Sequence, residues 1–201
     1  MVEIGRLDGT RWREFRDLRL EALSSDPLAF SSSPDEERGM PEEEWRRRME
    51  NTLFALCGGK AVGMIAIGFN SRKKTRHAAS LHGVYVRREN RRQGMGMALV
   101  EAALRAIGEK GGVSKVTLGV NPEQRGAVRV YEKCGFVRAG VLSRELKIDG
   151  RYHDVLLMEK RLRSRKGAGE ERKALWHRLD LAHSAPPGPT STLKWEKRQL
   201  L

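Results

Sequence analysis

The chain has 201 residues, 39% of them hydrophobic, and a formal net charge of +13, which suits one domain with an apolar core. No run approaches the roughly 18 to 20 apolar residues of a membrane span, and the N-terminus lacks a signal-peptide pattern, so we predict a cytoplasmic protein. The two cysteines, Cys57 and Cys134, are too far apart in sequence for a disulfide framework or a zinc motif. We therefore predict two reduced thiols and no metal site.

The first third of the chain predicts two helices followed by a hairpin. Apolar side chains recur at helical spacing over residues 10–24. Residues 29–39, rich in serine, proline and acids, predict a loop, and three consecutive acids predict that a second helix begins at residue 42. Apolar runs at 53–57 and 61–69, separated by two glycines, predict an antiparallel hairpin.

The middle of the chain predicts a strand, a long helix and another strand. Residues 78–86 predict the first strand, which runs directly into a glycine-containing turn. The helix after that turn places Leu99, Ala103 and Ile107 on one face. Apolar residues then alternate over 116–120, which predicts the second strand.

The last part of the predicted domain contains a short helix and a hairpin. Residues 127–134 predict the helix, and Gly135 ends it. Strands at 146–148 and 152–158 flank Asp149-Gly150, a strong hairpin signal. Helices and strands together predict a mixed α/β fold.

The turn after the strand at 78–86 is a candidate phosphate site. It comprises Arg91, Arg92, Gln93, Gly94, Met95 and Gly96, and the next helix begins near Met97. Glycines there let backbone N–H groups approach an anion, and the positive end of the helix dipole and two arginines add attraction. The expected ligand is a pyrophosphate. The turn is neither a Walker loop nor a complete dinucleotide-binding fingerprint. The alternative is a simple turn with a solvated arginine pair.

This turn resembles the central motif of the GNAT superfamily of acetyltransferases, Arg/Gln-x-x-Gly-x-Gly/Ala after the fourth strand, at Arg91, Gly94 and Gly96. Residues 127–136 resemble a second block of that family, Ala-x-x-Leu-Tyr-x-x-x-Gly-Phe. The blocks have the right order and separation, and the resemblance spans residues 2–163. It implies an α/β (α+β) fold whose mixed, mostly antiparallel central sheet is splayed between strands 4 and 5 and flanked by helices. Acetyl-CoA, the acyl donor, would lie in that cleft.

The resemblance also implies which residues contact acetyl-CoA. The fourth strand would pair with the pantetheine like an added strand. The asparagine that the family often has before its second block is replaced here by Gln124, with Asn121 three residues earlier. Either amide could turn toward the pantetheine, and we favour Gln124 by register. The expected contacts are Val84, Tyr85, Val86, Arg91, Arg92, Gln93, Gly94, Met95, Gly96, Met97, Asn121, Gln124, Ala127, Tyr131 and Lys133.

The implied reaction is direct attack of a neutral amine on the thioester, which produces an oxyanion and then a thiolate. A backbone N–H near Val86 is expected to stabilise the oxyanion. The family pattern places Tyr131 to protonate the departing sulfur, with a packed ring as the alternative role. No base is marked: His82 could act directly or through water, and Glu89 is a second candidate. Each has a structural alternative, a core histidine or a solvated acid, and many family members use ordered water.

The acceptor is expected between the first two helices, the loop between them and the final hairpin. Acids at 35–37 and 42–44 could attract a cationic amine or could simply begin a helix, and Tyr152 and Asp154 could meet the acceptor. The predicted function is N-acetylation of a primary amine on a small molecule or protein. The alternative is a non-catalytic acyl-CoA-binding or regulatory module, recruited to nucleic acid or a ribosome. Monomer and homodimer both stay open.

The C-terminal part of the chain is unusually basic. Residues 161–201 contain 10 Lys and Arg against 4 Asp and Glu, nearly half of the net charge in about a fifth of the length. We predict a domain over residues 1–163 and a flexible tail over 164–201, which could bind nucleic acid or a ribosome.

Overall fold

The structure is a computed structural model that describes residues 3–162. Its elements are β1 (Glu3–Gly5), α1 (Trp12–Ser25), α2 (Pro34–Arg38), α3 (Glu42–Met49), β2 (Thr52–Cys57), β3 (Lys60–Phe69), β4 (Ala78–Val86), α4 (Met95–Lys110), β5 (Lys115–Val120), α5 (Arg125–Lys133), β6 (Val137–Ile148) and β7 (Arg151–Arg161). The tail predicted over 164–201 lies outside the described residues. Among residues 3–162, no helix has the length and apolar content needed to cross a membrane.

The strands form one mixed sheet in the order β1-β2-β3-β4-β5-β7-β6. All neighbours are antiparallel except β4 and β5, which run parallel. That parallel pairing ends at Ser80 and Thr117, although β4 continues to Val86 and β5 to Val120. The two strands therefore separate toward their C-terminal ends, which confirms the predicted opening between strands 4 and 5.

Two apolar cores lie on opposite faces of the sheet. Helices α4 and α5 cover one face, and the predicted register of the long helix is confirmed because Leu99, Ala103 and Ile107 are fully buried there. Helices α1 and α3 cover the other face, where the ring of Phe15 packs edge-on against Trp45 and Phe54 at centroid distances of 5.5 and 5.6 Å. Burial of such side chains stabilises the fold by about 1.5–3 kcal/mol each.

The prediction of a loop over residues 29–39 is wrong for five residues, because Pro34–Arg38 form α2. Ser33 caps this helix: its hydroxyl accepts a hydrogen bond from the Glu36 amide, and the Glu36 carboxylate accepts one from the Ser33 amide. Pro34 occupies the first helical position. This Ser-x-x-Glu capping box with proline after serine is a helix-start signal that the sequence contains.

The predicted hairpin turns are confirmed. Gly58 and Gly59 join β2 to β3 with φ angles of 56° and 77°, and Asp149 and Gly150 join β6 to β7 with φ angles of 49° and 78°. Positive φ at both central residues matches the right-handed twist of the paired strands.

Candidate functional site

The opening between β4 and β5 begins beside a bulge in β4. Met64 of β3 pairs with Tyr85, and Ala66 pairs with His82, so three steps along β4 oppose two along β3. Gly83 lies in this bulge with a φ of 64°, a conformation that glycine adopts without strain. The bulge turns both His82 and Tyr85 toward the face covered by α1.

The edge of β4 that faces the opening is available to a ligand. Past Ser80, no strand among residues 3–162 pairs with this edge. The expected pantetheine contacts Val84, Tyr85 and Val86 all lie on this stretch. An extended ligand with amide groups could pair with it as an added strand would.

The N-terminus of α4 lies at the end of the turn that follows β4. Gly94 is the N-cap, with a left-handed φ of 79° and no side-chain cap. The first intrahelical bond joins the Ala98 amide to the Gly94 carbonyl at 3.0 Å, so the amides of Met95, Gly96 and Met97 precede the regular pattern. A Cβ added at Gly94 or Gly96 would meet no protein atom within 4 Å. Free amides, an open approach and the helix dipole are the properties of an anion site.

The two arginines of the turn differ in their contacts. Arg91 donates to the Val86 carbonyl at 2.8 Å and forms an ion pair with Asp26, so its guanidinium already has partners. Arg92 is exposed, has a positive φ of 63°, and makes no ion pair or side-chain hydrogen bond within residues 3–162. Gln93 donates to the backbone of the same turn. Arg92 is thus the arginine of this turn whose guanidinium has no partner within residues 3–162.

Asn121 and Gln124 occupy different environments beyond the end of β5. Asn121 is 2% exposed, and its Oδ1 accepts from the Glu123 amide at 2.8 Å. Its Nδ2 is the one buried side-chain nitrogen or oxygen without a hydrogen-bond partner in the described part of the chain. Gln124 is half-buried at the N-cap of α5 and makes no capping bond. A buried donor without a partner costs about 1–3 kcal/mol, which a ligand carbonyl would offset.

Tyr131 lies on α5 within the core that α4 covers. It is 6% exposed, and its ring packs edge-on against Phe136 at 6.1 Å. Burial, and then the neighbouring Cys134, raise its pKa well above the usual range of a phenol. The phenol is therefore protonated at neutral pH and is a weaker acid than an exposed tyrosine.

The two remaining residues expected on α5 lie at different depths. Ala127 packs at the edge of the same core, near the start of the helix. Lys133 is the last helical residue, and it lines a cavity of about 450 Å³ together with Glu101, Leu104, Arg105, Cys134 and Lys160. Lys160 pairs with Val116 near the start of β5, so this cavity lies toward the end of the sheet opposite the opening.

The two candidate bases, His82 and Glu89, lie in different surroundings. His82 is exposed, but protein crowds its imidazole, whose Cε1 lies 3.3 Å from where a Cβ would stand on Gly68 of β3. That crowding, followed by the positive charges of Arg19 and Arg48, lowers its pKa to about 4, so the imidazole is neutral at pH 7. Glu89 is exposed in the short turn after β4 and has no side-chain partner within residues 3–162.

A buried ion-pair cluster beside His82 was not expected from the sequence. The Glu37 carboxylate, 1% exposed, accepts from Nε and Nη2 of Arg19 at 2.9 and 2.8 Å, and Nη1 of Arg48 lies at 3.1 Å. Burial alone would raise the pKa of Glu37, but the hydrogen bond and charge of Arg19 and the charge of Arg48 outweigh it and lower the pKa. No sequence pattern marks this cluster, because its members come from α1, α2 and α3.

The acids considered for attracting a cationic amine are largely engaged. Besides Glu37, Glu42 pairs with Arg46 and Glu44 pairs with Arg47 and Arg48, within one helix. In the final hairpin, Asp154 accepts from the Arg144 amide at 2.8 Å. Tyr152 is 49% exposed, with the guanidinium of Arg144 over its ring at 4.0 Å. Among residues 3–162, no group of three or more His, Cys, Asp or Glu side chains could hold a metal ion.

Comparison with known proteins identifies similar sequences. Residues 12–136 match the acetyltransferase (GNAT) family, from the first residue of α1 to just past α5. The chain is 30% identical to an uncharacterized N-acetyltransferase of Methanocaldococcus jannaschii over 109 residues. This aligned region covers 52% of this chain and 48% of that protein. The chain is also 34% identical to the spermidine N(1)-acetyltransferase of Vibrio cholerae over 82 residues. This aligned region covers 41% of this chain and 47% of that protein.

A solved structure has a similar fold over most of the described residues. It is an acetyltransferase of the GNAT family from Streptococcus pneumoniae, with a TM-score of 0.72 and 27% sequence identity, covering 81% of this chain and 100% of that one. The chain thus spans about half the length of the curated relatives it matches and all of this solved structure.

Proposed function

The chain belongs to the acetyltransferase (GNAT) family, and from this premise we propose that it transfers the acetyl group of acetyl-CoA to a primary amine in a ternary complex. The observation that carries the proposal is the opening between β4 and β5, with the uncapped N-terminus of α4 beside it. A pyrophosphate at the amides of Met95, Gly96 and Met97 and an extended arm along Val84–Val86 would use both features.

The buried amide of Asn121 supports the same placement of the donor. Its Nδ2 has no hydrogen-bond partner in residues 3–162, and a pantetheine carbonyl would supply one. We therefore propose Asn121 in preference to Gln124 as the amide that contacts the pantetheine. Arg92 would add a phosphate contact, while Arg91 would mainly hold the turn against α1 through Asp26.

The reaction needs a donor that stabilises the oxyanion, an acid that protonates the thiolate and a base that deprotonates the amine. The amine nitrogen attacks the thioester carbon, a C–N bond forms, the C–S bond breaks, and its electron pair leaves on sulfur. A backbone N–H near Val86 would stabilise the oxyanion. The hydroxyl of Tyr131 would protonate the thiolate as the sulfur gains charge.

The amine must lose a proton before it attacks, because alkylamines have a pKa near ~10. His82 is the better placed of the two proposed bases, since its imidazole is neutral at pH 7 and is exposed beside the β4 bulge that borders the opening. It would accept the amine proton directly or through a water molecule. Glu89, exposed in a turn, would contribute only a distant negative charge.

A panel of amines tests the proposal. The chain is incubated with acetyl-CoA and aliphatic amines, amino acids, spermidine or peptides, and CoA release is quantified by chromatography, because the exposed Cys57 thiol would react with thiol reagents. Mass spectrometry then identifies the acetylated product. We expect amine-dependent CoA release. Binding of acetyl-CoA without release for any amine would favour the non-catalytic module.

We also propose that residues 1–163 form the acetyltransferase domain and that residues 164–201 are not needed for its activity. The last strand of the sheet ends at Arg161, and the family match ends at residue 136. Deleting residues 164–201 is expected to leave acetyl-CoA affinity and turnover of a small amine within about twofold of the full chain, well inside 1.4 kcal/mol. A tenfold loss of either would place part of the site in the deleted segment.

A further inference from the structure

We propose that the acceptor amine carries a carboxylate close to its nitrogen and that Arg19 binds this carboxylate. The inference rests on the proposed function, because it names the acceptor class for the same cleft. It follows from the position of one guanidinium beside the β4 bulge, from the side chains that hold it there, and from the edge of it that stays open.

Arg19 is held in a fixed orientation. Its Nε and Nη2 donate to the two carboxylate oxygens of Glu37, and its guanidinium carbon lies 4.7 Å from the centre of the Phe30 ring. Glu37 is itself buried and also bound by Arg48. A guanidinium fixed on two sides loses little entropy when it binds a further group, so its remaining donors are preorganised.

The remaining edge of Arg19 points to the bulge. Nη1 lies 3.6 Å from where a Cβ would stand on Gly83, and within residues 3–162 it has no hydrogen-bond partner. The side chain retains 14% exposure. Its two unused N–H donors therefore lie beside the β4 backbone that borders the opening.

The position of Arg19 separates the acceptor from the donor. The proposed pyrophosphate site belongs to α4, on one face of the sheet, whereas Arg19 belongs to α1, on the other face. The opening between β4 and β5 connects the two faces. The acceptor would thus approach from the α1 side, past His82 and Gly83, and meet the acetyl carbon in the opening.

The charges of Arg19 and Arg48 beside His82 favour an anionic acceptor over a polycation. Arg19 and Arg48 both act on His82 in the direction that disfavours a positive charge there. A polyamine would add several positive charges at the same place, and the acids nearest to it are already paired. A carboxylate would instead form charge-assisted hydrogen bonds with Arg19.

The test compares matched amines with the full chain. L-Leucine, L-methionine and L-phenylalanine are each assayed beside their amides and decarboxylated amines, with spermidine as the polycation, and kcat/KM is referred to the unprotonated amine. Hydrogen bonds between charged groups contribute about 1.5–3 kcal/mol, so at least one amino acid is expected to exceed its amide and its amine by about 10- to 150-fold.

Arg19→Lys tests the residue. Lysine keeps a positive charge beside Glu37 but lacks the second pair of N–H donors that Nη1 provides. The kcat/KM ratio of amino acid to amide should therefore fall by tenfold or more. Arg16→Lys, on the same helix but in an exposed ion pair with Asp17, should leave the ratio unchanged. If Arg19→Lys does not fold, the wild-type ratio alone decides.

The outcomes separate this inference from the proposed function. Amides, simple amines or spermidine acetylated as well as the amino acids would overturn the carboxylate assignment and leave acetyl transfer standing. An unchanged ratio in folded Arg19→Lys would overturn the role of Arg19. CoA release with a peptide but with none of these amines would overturn the carboxylate assignment and leave acetyl transfer standing. No CoA release with any amine or peptide would overturn both proposals.

Discussion

Gly96→Val should weaken acetyl-CoA binding without unfolding the protein. Gly96 lies in the first turn of α4 among amides that precede the first intrahelical bond. Apart from its chain neighbours and the nearby backbone of α4, no protein atom lies within 4 Å of its Cβ position. Valine methyl groups would fit the structure but would occupy the space through which a pyrophosphate approaches. The loss should therefore appear in binding rather than in folding.

The size of the effect follows from the hydrogen bond that valine would block between a backbone amide and the pyrophosphate. One hydrogen bond to a charged group contributes about 1.5–3 kcal/mol, so Kd for acetyl-CoA should rise by about 10- to 150-fold. Helix propensities of glycine and valine differ by about 0.5 kcal/mol, so the free energy of unfolding should barely change. Isothermal titration calorimetry measures Kd, and thermal melting verifies the fold.

Gly108→Val is the matched control. Gly108 lies near the other end of α4, is exposed and likewise has nothing within 4 Å of its Cβ position. S-acetylpantetheine, which lacks the pyrophosphate, should react at the same kcat/KM with both variants. Equal acetyl-CoA affinity of folded Gly96→Val and Gly108→Val would refute the phosphate site at α4.

Three further substitutions test other parts of the site. Tyr131→Phe removes only a hydroxyl, so kcat and kcat/KM should fall together by roughly 10²-fold with an unchanged melting temperature; wild-type turnover, when chemistry limits the rate, would leave water as the proton donor. Asn121→Asp keeps the acceptor for the Glu123 amide but removes the donor Nδ2, so calorimetry should show at least tenfold weaker acetyl-CoA binding, and unchanged affinity would exclude this contact. The pKa of His82 is lowered to about 4 in the folded protein, whereas in the unfolded protein it is near ~6.5. Between these pH values the unfolded protein binds a proton at His82 and the folded protein does not. The free energy of unfolding therefore decreases as pH falls from about 6.5 toward 4. Urea unfolding at pH 7 and pH 5 should show a smaller loss for His82→Gln, and equal losses would mean that His82 is not the group involved.

Local patterns predicted much of the fold because they act over short distances. The strand at 78–86 and the buried stripe through Leu99, Ala103 and Ile107 follow from periodicity alone. The turn at Asp149-Gly150 follows from the need for positive φ. Three-residue β1 carries no periodicity long enough to detect, and it was not predicted.

The site was predictable only where chemistry is local in sequence. The glycines of the turn and the helix that follows it are neighbours, so their use as an anion site could be inferred. The bulge at Gly83 depends on pairing with β3, and the cluster of Arg19, Glu37 and Arg48 joins three helices. The choice between Asn121 and Gln124 depends on burial, which the register of a sequence motif does not reveal.

A crystal structure of the chain with acetyl-CoA tests the central claim most directly. We expect the pyrophosphate at the amides of Met95, Gly96 and Met97, the pantetheine along Val84–Val86, and a hydrogen bond from Asn121 Nδ2 to a pantetheine carbonyl. The thioester should lie in the opening between β4 and β5. Acetyl-CoA bound outside that opening, for example in the cavity lined by Lys133 and Lys160, would contradict the account.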